Sequence, residues 1–313
     1  MLRSNIGRGV LLLLLFRLYT WYRRQRRRQD IRGQLCLVTG GGNGIGRALA
    51  LGLAQRGARV AIWDIDAAAL DETVRLIQKA VPPAQTGGDV GGGGIVEVHA
   101  AKVDLASRES ITAAAQALQA KAGFVWCVIN NAGVVSGLPF LSIPPERIEQ
   151  SFRVNVIAHV WLLQALLPAM LRERRGHIVT VASAAGLFGA PMMADYCASK
   201  FAAVGLHESL RLELKKLGHG EQVRTTLVCP AHVHTRLFDG YKPGMLQRSL
   251  TPTELAQAIL AAVERGEELV LAPWAVSLAL FLRGCLPVGM EDQLKKFTGL
   301  SNSMDNWKGR NGS

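Results

Sequence analysis

The residue types best suited to chemistry in this chain are a tyrosine, a lysine and a serine that lie close together in the sequence. In Tyr196-Cys-Ala-Ser-Lys200 the phenol and the ammonium stand four residues apart, so on a helix they share one face. A neighbouring ammonium favours the phenolate, and we expect Lys200 to lower the pKa of Tyr196 toward the range of a general acid/base. Ser183, at the end of a preceding strand, can hold the substrate oxygen that the phenol protonates or deprotonates. By itself this spacing also describes a half-buried tyrosine beside a solvated lysine, so the interpretation needs a cofactor site.

A glycine-rich turn near the start of the chain predicts such a site. The run Thr39-Gly-Gly-Gly-Asn-Gly-Ile-Gly46 follows an apolar strand and opens a helix. Glycines permit a tight turn and let backbone N–H groups approach a pyrophosphate, which the helix N-terminus also attracts. The turn residues expected to bind a dinucleotide cofactor are Gly40, Asn43, Gly44, Ile45 and Gly46.

The second strand ends at Asp64, which bears on the choice between NAD and NADP. A carboxylate there accepts hydrogen bonds from the ribose hydroxyls and repels the extra phosphate of NADP. The alternative role, capping the next helix, is one that Asp66 can serve equally well. Arg47 can attract a phosphate but follows the last glycine, so we expect it to face away. The pattern therefore favours NAD over NADP.

From residue 33 onward, short apolar runs alternate with longer helical stretches. The predicted strands span residues 35–39, 59–63, 95–103, 125–129, 177–181, 223–228 and 268–271, and the predicted helices span 45–56, 67–80, 107–121, 145–173, 195–217 and 252–265. Nearly continuous apolar strands separated by helices specify a parallel sheet that is covered on both faces. We therefore predict an α/β fold, a single doubly wound, Rossmann-like domain over residues 33–272.

The first 32 residues combine an apolar run with a concentration of positive charge. They hold nine arginines against Asp30, and the whole chain has a net charge of +12, so the excess is local and argues against a nucleic-acid partner. The apolar run falls short of the roughly 20 residues that span a bilayer, and its Trp-Tyr and arginine flank suits a membrane interface. We expect residues 1–32 to be a hydrophobic membrane anchor with a basic flank and the domain to face the cytosol. A cleaved signal peptide and a disordered leader are the alternatives, and spanning versus monotopic insertion stays open.

The five cysteines favour a reducing compartment and indicate no metal site. None forms a C-x-x-C pair, and Cys36, Cys127 and Cys229 lie in apolar, strand-like runs, where a free thiol behaves as a small hydrophobic group. Beyond the domain, residues 273–313 are expected to form an apolar cover over a substrate pocket, or a second membrane contact, followed by a polar tail from residue 300. The glycine-rich loop 87–94 suggests no function.

Taken together, the motifs resemble the short-chain dehydrogenase/reductase family over about residues 33–270. The matching motifs, in the family's order, are Thr39-Gly-x-x-x-Gly44-x-Gly46, Asp104, Asn130-Asn-Ala-Gly133, Asn155, Ser183, Tyr196-x-x-x-Lys200 and Pro230 through Thr235. One departure is Ala231, where the family usually has glycine after the proline. Alanine fits there unless its φ must be positive.

The resemblance implies a role for each matching residue. The catalytic set is Tyr196 as general acid/base, Ser183 holding the reacting oxygen, Lys200 binding the nicotinamide ribose and lowering the tyrosine pKa, and Asn155 positioning a water that continues the proton relay. Besides the turn residues and Asp64, the cofactor-binding set is Asp104 at the adenine, Asn131 and Gly133 through their backbones, Tyr196, Lys200, and Thr235 at the carboxamide. The hydride chemistry itself belongs to the nicotinamide.

More narrowly, residues 63–65, 176–186 and 194–203 resemble a membrane-bound branch of epidermal-type retinol dehydrogenases and lipid-droplet 17β-hydroxysteroid dehydrogenases. The branch implies an NAD-dependent oxidoreductase for a lipophilic alcohol, all-trans-retinol to retinal being the leading expectation, at the endoplasmic reticulum membrane or lipid droplet. A 17β-hydroxysteroid or long-chain alcohol is the alternative substrate, and a surface protein of these membranes with vestigial activity is the alternative of another class. Residues 297–310 resemble retinal-reducing members that use NADP, which leaves the direction open. A homodimer through the helices 145–173 and 195–217 is a further family expectation.

Overall fold

The computed structural model describes residues 28–81, 97–244, 248–297, 299 and 302–307. Within these ranges the chain forms a doubly wound α/β domain, which confirms the predicted fold class. Residues 1–27, which contain the apolar run of the predicted anchor, and the glycine-rich loop 87–94 lie outside the described residues.

Seven parallel strands form one sheet in the order β3-β2-β1-β4-β5-β6-β7. The strands are β1 (Leu35–Thr39), β2 (Arg59–Asp64), β3 (Val98–Lys102), β4 (Val125–Asn130), β5 (Gly176–Val181), β6 (Val223–Pro230) and β7 (Leu269–Ala272). β1, β4 and β5 are buried along their whole length, because helices cover both faces of the sheet. The strand order reverses between β1 and β4, and ligands of such sheets bind at this reversal, outside the carboxyl ends of the strands.

The helices of the described residues divide between the two faces. They are α1 (Gly44–Gln55), α2 (Ala67–Ala80), α3 (Arg108–Ala122), α4 (Pro145–Phe152), α5 (Ala158–Arg172), α6 (Ala194–Lys216), α7 (Pro252–Arg265), α8 (Ala275–Cys285) and α9 (Val288–Phe297). α1, α2 and α7 pack on one face and α3, α5 and α6 on the other. On the first face, Leu53 of α1 and Ile259 of α7 are completely or almost completely buried, and each such side chain contributes roughly 1.5–3 kcal/mol of stability.

Local signals set several helix ends. Asp66 caps α2 by accepting a hydrogen bond from the backbone N–H of Ala69 at 3.0 Å. α7 begins with a capping box between Thr251 and Glu254 and ends at Gly266, whose φ of +64° favours glycine. These signals fix the start of α2 and both ends of α7.

Two predicted features of the chain differ in the structure. The single helix expected over 145–173 is interrupted by a π-helical turn, Arg153–Ile157, and such turns inside helices are frequent at functional sites. The polar tail expected from residue 300 is wrong for residues 302–307, where Met304 is buried and Trp307 packs against the same cluster. Here two large apolar side chains outweigh their polar neighbours.

The stretch Pro145–Arg172 is the one part of the described chain that is long and apolar enough to cross a membrane. Its residues Leu162, Leu163 and Leu166 are buried against the sheet. The hydropathy of this stretch therefore reflects a core helix of the domain.

Candidate functional site

The glycine-rich turn joins β1 to α1 and presents the start of α1 to the crevice. Gly40 and Gly44 have φ values of +65° and +52°, which favour glycine. A Cβ on Gly46 would overlap the carbonyl oxygen of Gly40. Among the described residues, the N-cap Asn43 makes no side-chain hydrogen bond to the first turn of α1. The amides of that turn therefore stay available for an anion.

Asp64 ends β2 with its carboxylate beside the turn. The backbone N–H of Gly42 donates to its Oδ2 at 2.9 Å, and that of Asp66 donates to its Oδ1 at 3.1 Å. Asp66 is the residue that caps α2, so Asp64 is not needed for capping. The guanidinium of Arg47 donates to the carbonyl oxygen of Gly42 at 2.6 and 2.9 Å and to Thr73 Oγ1 at 3.1 Å. Arg47 is thus held by the turn itself.

Asn131 and Gly133 follow β4 and bring the end of that strand to the turn. Asn131 Nδ2 donates to the carbonyl oxygen of Thr39 at 2.9 Å, and its backbone N–H donates to Thr39 Oγ1 at 3.0 Å. A Cβ on Gly133 would lie 3.3 Å from Asn155 Oδ1 and 3.6 Å from Lys200 Nζ. The segment after β4 therefore connects the turn to the residues predicted to be catalytic.

Asn155 lies in the π-helical turn between α4 and α5 and is fully buried. Its Oδ1 accepts from the backbone N–H of Val134, and its Nδ2 donates to the carbonyl oxygen of Val134, both at 2.9 Å. Its Nδ2 also donates to Ser199 Oγ at 2.9 Å. The amide thereby fastens the segment after β4 to α6, next to Lys200.

Tyr196, Ser183 and Lys200 converge at the start of α6. The Ser183 hydroxyl hydrogen-bonds the phenol of Tyr196. Lys200 Nζ donates to the carbonyl oxygen of Val181 at 3.0 Å and lies 5.7 Å from the centroid of the Tyr196 ring. Tyr196 and Lys200 are both buried, and they share one face of α6, as the four-residue spacing predicts.

The pKa values of this pair differ from the expectation. Burial raises the pKa of Tyr196 well above its usual value, and the hydrogen bond with Ser183 offsets only part of this effect. Burial also lowers the pKa of Lys200 to about 8. The prediction that Lys200 lowers the pKa of Tyr196 is wrong for the protein by itself. Desolvation dominates both groups, and the ammonium is directed at the carbonyl of Val181.

The remaining predicted residues lie at the carboxyl ends of the strands. Thr235 follows β6, and a Cβ on Gly44 would lie 3.2 Å from its Cγ2, so Thr235 stands against the glycine-rich turn. Asp104 follows β3 and is exposed, with Oδ1 accepting from the backbone N–H of Ala106 at 2.9 Å. Ala231 is not among the described residues with positive φ, so alanine fits at this position.

A cavity of about 540 Å³ opens beside Tyr196. Its wall is mainly apolar and includes Phe188, Met193 and Leu282, together with Ser183 and Tyr196. α8, in the region expected to be an apolar cover, contributes part of this wall. The cavity therefore has the chemistry to hold an apolar molecule with a polar group at Tyr196.

Sequence reasoning missed the aromatic side chains that surround Tyr196. Phe238 packs edge-on against Tyr196, with ring centroids 5.7 Å apart, and His232 stacks on Tyr241 with centroids 4.3 Å apart. Trp307 belongs to the same cluster from the far end of the chain. Loops and the short 3-10 helix Arg236–Phe238 carry these residues, so no periodicity signals them.

The crevice fits a dinucleotide by its own geometry. The first turn of α1 offers backbone amides, the absence of a side chain at Gly46 allows close approach, and Asp64 supplies a carboxylate at the end of β2. Gly133 places the segment after β4 within contact distance of Lys200. These are the features that a pyrophosphate and a ribose require at this reversal of strand order.

Comparison with known proteins agrees with this geometry. The family described as short chain dehydrogenase matches residues 34–245. The chain belongs to the short-chain dehydrogenase family. Epidermal retinol dehydrogenase 2 of Mus musculus is 35% identical to it over 286 residues, covering 90% of this chain and 88% of the relative. Retinol dehydrogenase 10 of Homo sapiens is 36% identical over 291 residues, covering 88% of this chain and 85% of the relative. These relatives confirm the resemblance to the epidermal-type retinol dehydrogenase branch.

Solved structures of other short-chain dehydrogenases share the fold. One from Burkholderia phymatum in complex with NAD has a TM-score of 0.70 at 28% identity, covering 85% of this chain and 96% of that one. A metagenomic short-chain oxidoreductase in complex with NADP has a TM-score of 0.63 at 30% identity, covering 78% and 98%. This short-chain dehydrogenase is accordingly an oxidoreductase with a nicotinamide dinucleotide cofactor. Both forms of the cofactor occur among its neighbours.

Proposed function

We propose that this short-chain dehydrogenase interconverts a lipophilic alcohol and its carbonyl with NAD, and that the alcohol is all-trans-retinol. The observation that carries the proposal is the mainly apolar cavity of about 540 Å³ that is lined in part by Ser183 and Tyr196. An apolar cavity with few polar groups binds a hydrocarbon chain and orients its single hydroxyl toward those groups. The relatives named for retinol support the choice of substrate.

In the proposed mechanism Tyr196 is the general acid/base and Ser183 holds the reacting oxygen. During oxidation the phenolate of Tyr196 removes the proton of the alcohol hydroxyl, and during reduction the phenol returns it. The nicotinamide, when bound, accepts or supplies the hydride. Because burial raises the pKa of Tyr196, oxidation requires the phenolic proton to leave through Lys200 and a water at Asn155. The largely oxidised NAD pool of the cytosol favours that direction.

The cofactor-binding set supports NAD. We propose that the dinucleotide is held by Gly40, Asn43, Gly44, Ile45, Gly46, Asp64, Asp104, Asn131, Gly133, Tyr196, Lys200 and Thr235. Asp64 stands where a ribose 2′-phosphate would meet a carboxylate. Arg47, which could neutralise such a phosphate, is already engaged by the carbonyl of Gly42.

A substrate panel on the full-length protein in membranes tests this proposal. Retinoids, steroids and long-chain alcohols are each assayed with NAD and with NADP, and we expect the highest kcat/KM for all-trans-retinol with NAD. A higher kcat/KM for retinol with NADP than with NAD would refute the cofactor assignment. A higher kcat/KM for a steroid or a long-chain alcohol than for retinol would refute the substrate assignment. The variant Tyr196→Phe should lose turnover while keeping NAD binding. An unchanged cellular effect of that variant would favour a surface protein with vestigial activity.

We also propose that the domain works at a membrane surface. The residues Trp274, Phe281, Val288, Met290 and Phe297, in and around α8 and α9, are each more than half exposed. Because α8 also lines the cavity, this apolar surface adjoins the proposed substrate site. Together with the arginine-flanked apolar run in residues 1–32, it supports attachment to the endoplasmic reticulum or a lipid droplet.

Localisation is tested by fractionation and fluorescence imaging of the full chain, with protease protection for orientation. We expect membrane or lipid-droplet fractions and cleavage of the domain from the cytosolic side. Recovery of the full chain in the soluble fraction would contradict the attachment, and protection from cytosolic protease would contradict the orientation.

A homodimer through α4, α5 and α6 stays a proposal. The π-helical turn between α4 and α5 exposes Ile157, and α6 exposes Phe201 and Leu212, which would be covered by a second copy. Analytical ultracentrifugation of the detergent-solubilised full chain is expected to give the mass of two copies. A single copy at all concentrations would refute it.

A further inference from the structure

On the sheet face covered by α3, α5 and α6, several buried polar atoms have no hydrogen-bond partner among the described residues. They are Nδ2 and Oδ1 of Asn130, Nδ1 of His159 and Nε2 of His207. The three residues are between 1% and 4% exposed. Buried polar atoms of folded proteins are almost always paired, with protein or with water. Four such atoms in one region therefore call for a common explanation.

The sheet brings Asn130 close to His207. Asn130 of β4 and Thr180 of β5 are paired in register. Two residues earlier on each strand, Val128 and Ile178 belong to the cluster covered by α3, α5 and α6, so Asn130 and Thr180 point to the same face. His207 Nδ1 and Thr180 Oγ1 are 2.9 Å apart. The side chains of Asn130 and His207 thus share Thr180 as a neighbour.

His159 enters the same region from α5. It lies one turn beyond Asn155, whose amide contacts α6. α5 and α6 run in the same direction against the parallel sheet, so His159 follows the Asn155–Ser199 contact in the direction of His207. Burial first, and then the charges of Lys200 and His207, lower the pKa of His159 to about 3, which agrees with a position near both groups.

We propose that Asn130, His159 and His207 enclose an internal water site that continues the hydrogen-bond network of Lys200 beneath α6. An internal water takes two to four polar partners, and both an amide and an imidazole can donate or accept. Lys200 has three N–H donors, of which one goes to the carbonyl of Val181. A second N–H of Lys200 donates to this water, which fixes the position of the ammonium. His159 and His207 are then positioning residues.

The direct test is a crystal structure of the full-length protein that resolves ordered waters. We expect a water within about 3.2 Å of both His159 Nδ1 and His207 Nε2. Direct pairing of these side chains with each other, or a region without ordered water, would overturn the proposal. This measurement does not depend on the substrate. A protein inactive on every alcohol would therefore refute the proposed function. The ordered waters in the crystal structure would still confirm or refute the water site.

The second test is kinetic and rests on the proposed function. His159→Leu should lower kcat about tenfold, the size expected for one lost buried hydrogen bond, with KM for NAD unchanged. His159→Asn, which keeps a polar atom for the water, should recover most of that loss. If His159→Leu does not fold, His159→Asn and the ordered waters decide.

The matched control is His177, an equally buried imidazole on the opposite face of the sheet. Both of its nitrogens have partners, Gln29 Nε2 at 2.9 Å and Thr226 Oγ1 at 2.8 Å. His177→Leu should lower stability and leave kcat unchanged. Wild-type kcat in His159→Leu, or an equal fall of kcat in His177→Leu, would overturn the positioning role.

Discussion

Three buried histidines make the fold sensitive to mild acid to an extent that can be calculated. Burial lowers the pKa of His159 and of His177 to about 3 and that of His207 to about 4, from a usual value of 6.5. In the unfolded chain these imidazoles become charged as the pH falls through 6.5, whereas in the fold they stay neutral until pH 3–4. The unfolded state therefore binds more protons throughout this window. The free energy of unfolding must fall as the pH falls.

The size of the loss follows from the pKa differences. At pH 5 each histidine is charged in the unfolded chain and neutral in the fold, which costs about 2 kcal/mol per group. Together the three remove about 6 kcal/mol between pH 7 and pH 5, a large share of the roughly 5–15 kcal/mol that stabilises a domain. All three residues are buried, with at most 4% of their surface exposed, so solvent screening reduces this free-energy loss only slightly.

Denaturant unfolding of the full chain in detergent at pH 7, 6 and 5 measures this loss. The variant His177→Gln removes one titrating group and keeps a polar side chain for Gln29 and Thr226. It should reduce the loss at pH 5 by about 2 kcal/mol. A wild-type loss below about 2 kcal/mol, or an equal loss in His177→Gln, would refute the reasoning. If the reasoning holds, activity lost below pH 6 reflects unfolding of the domain.

Three further substitutions test the crevice and the cavity by steady-state kinetics and NAD titration. Asp64→Ala should raise KM for NAD at least about tenfold, because the ribose hydroxyls lose a charged hydrogen-bond acceptor. The preference for NAD over NADP should decrease. Gly46→Ala should abolish NAD binding, since its Cβ would overlap the carbonyl oxygen of Gly40, whereas Gly205→Ala, whose Cβ meets no described atom within 4 Å, should bind normally. Trp307→Ala should raise KM for retinol several-fold and leave KM for NAD unchanged, because Trp307 packs beside the cavity wall.

Each of these expectations has an outcome that contradicts it. An unchanged KM for NAD in Asp64→Ala would mean that the carboxylate does not touch the ribose. Normal NAD binding by Gly46→Ala would mean that the pyrophosphate lies elsewhere. A parallel rise of both KM values in Trp307→Ala would indicate general loosening of the domain.

The sheet and the glycine-rich turn were predictable because their signals are local. β1 occupies the predicted range 35–39, and α2 and α7 occupy 67–80 and 252–265. Apolar runs, capping residues such as Asp66, and glycines at positive φ act within a few residues of where they stand. The spacing of Tyr196 and Lys200 belongs to the same class, because a helix fixes which residues share a face.

Features that depend on distant contacts were not predictable. The sequence of the π-helical turn contains no glycine or proline, and the turn is associated with Asn155, whose amide is held by Val134 and Ser199. The packing of Met304 and Trp307 beside Tyr196 brings the segment 302–307 to the middle of the chain. Periodicity carries no information about either contact.

The pKa values of Tyr196 and Lys200 are the property of the site that the sequence predicts least well. Spacing places Lys200 beside Tyr196 but does not state how far both are removed from water, and burial decides the sign of each pKa shift. A buried ammonium and a buried phenol need polar partners other than each other, and the carbonyl of Val181 and the hydroxyl of Ser183 are two of them. The proton chemistry must therefore rest on the surrounding network. Substitutions that remove the polar atoms of Asn130, His159 or His207 should lower kcat. Substitutions in the apolar cavity should raise KM for the alcohol.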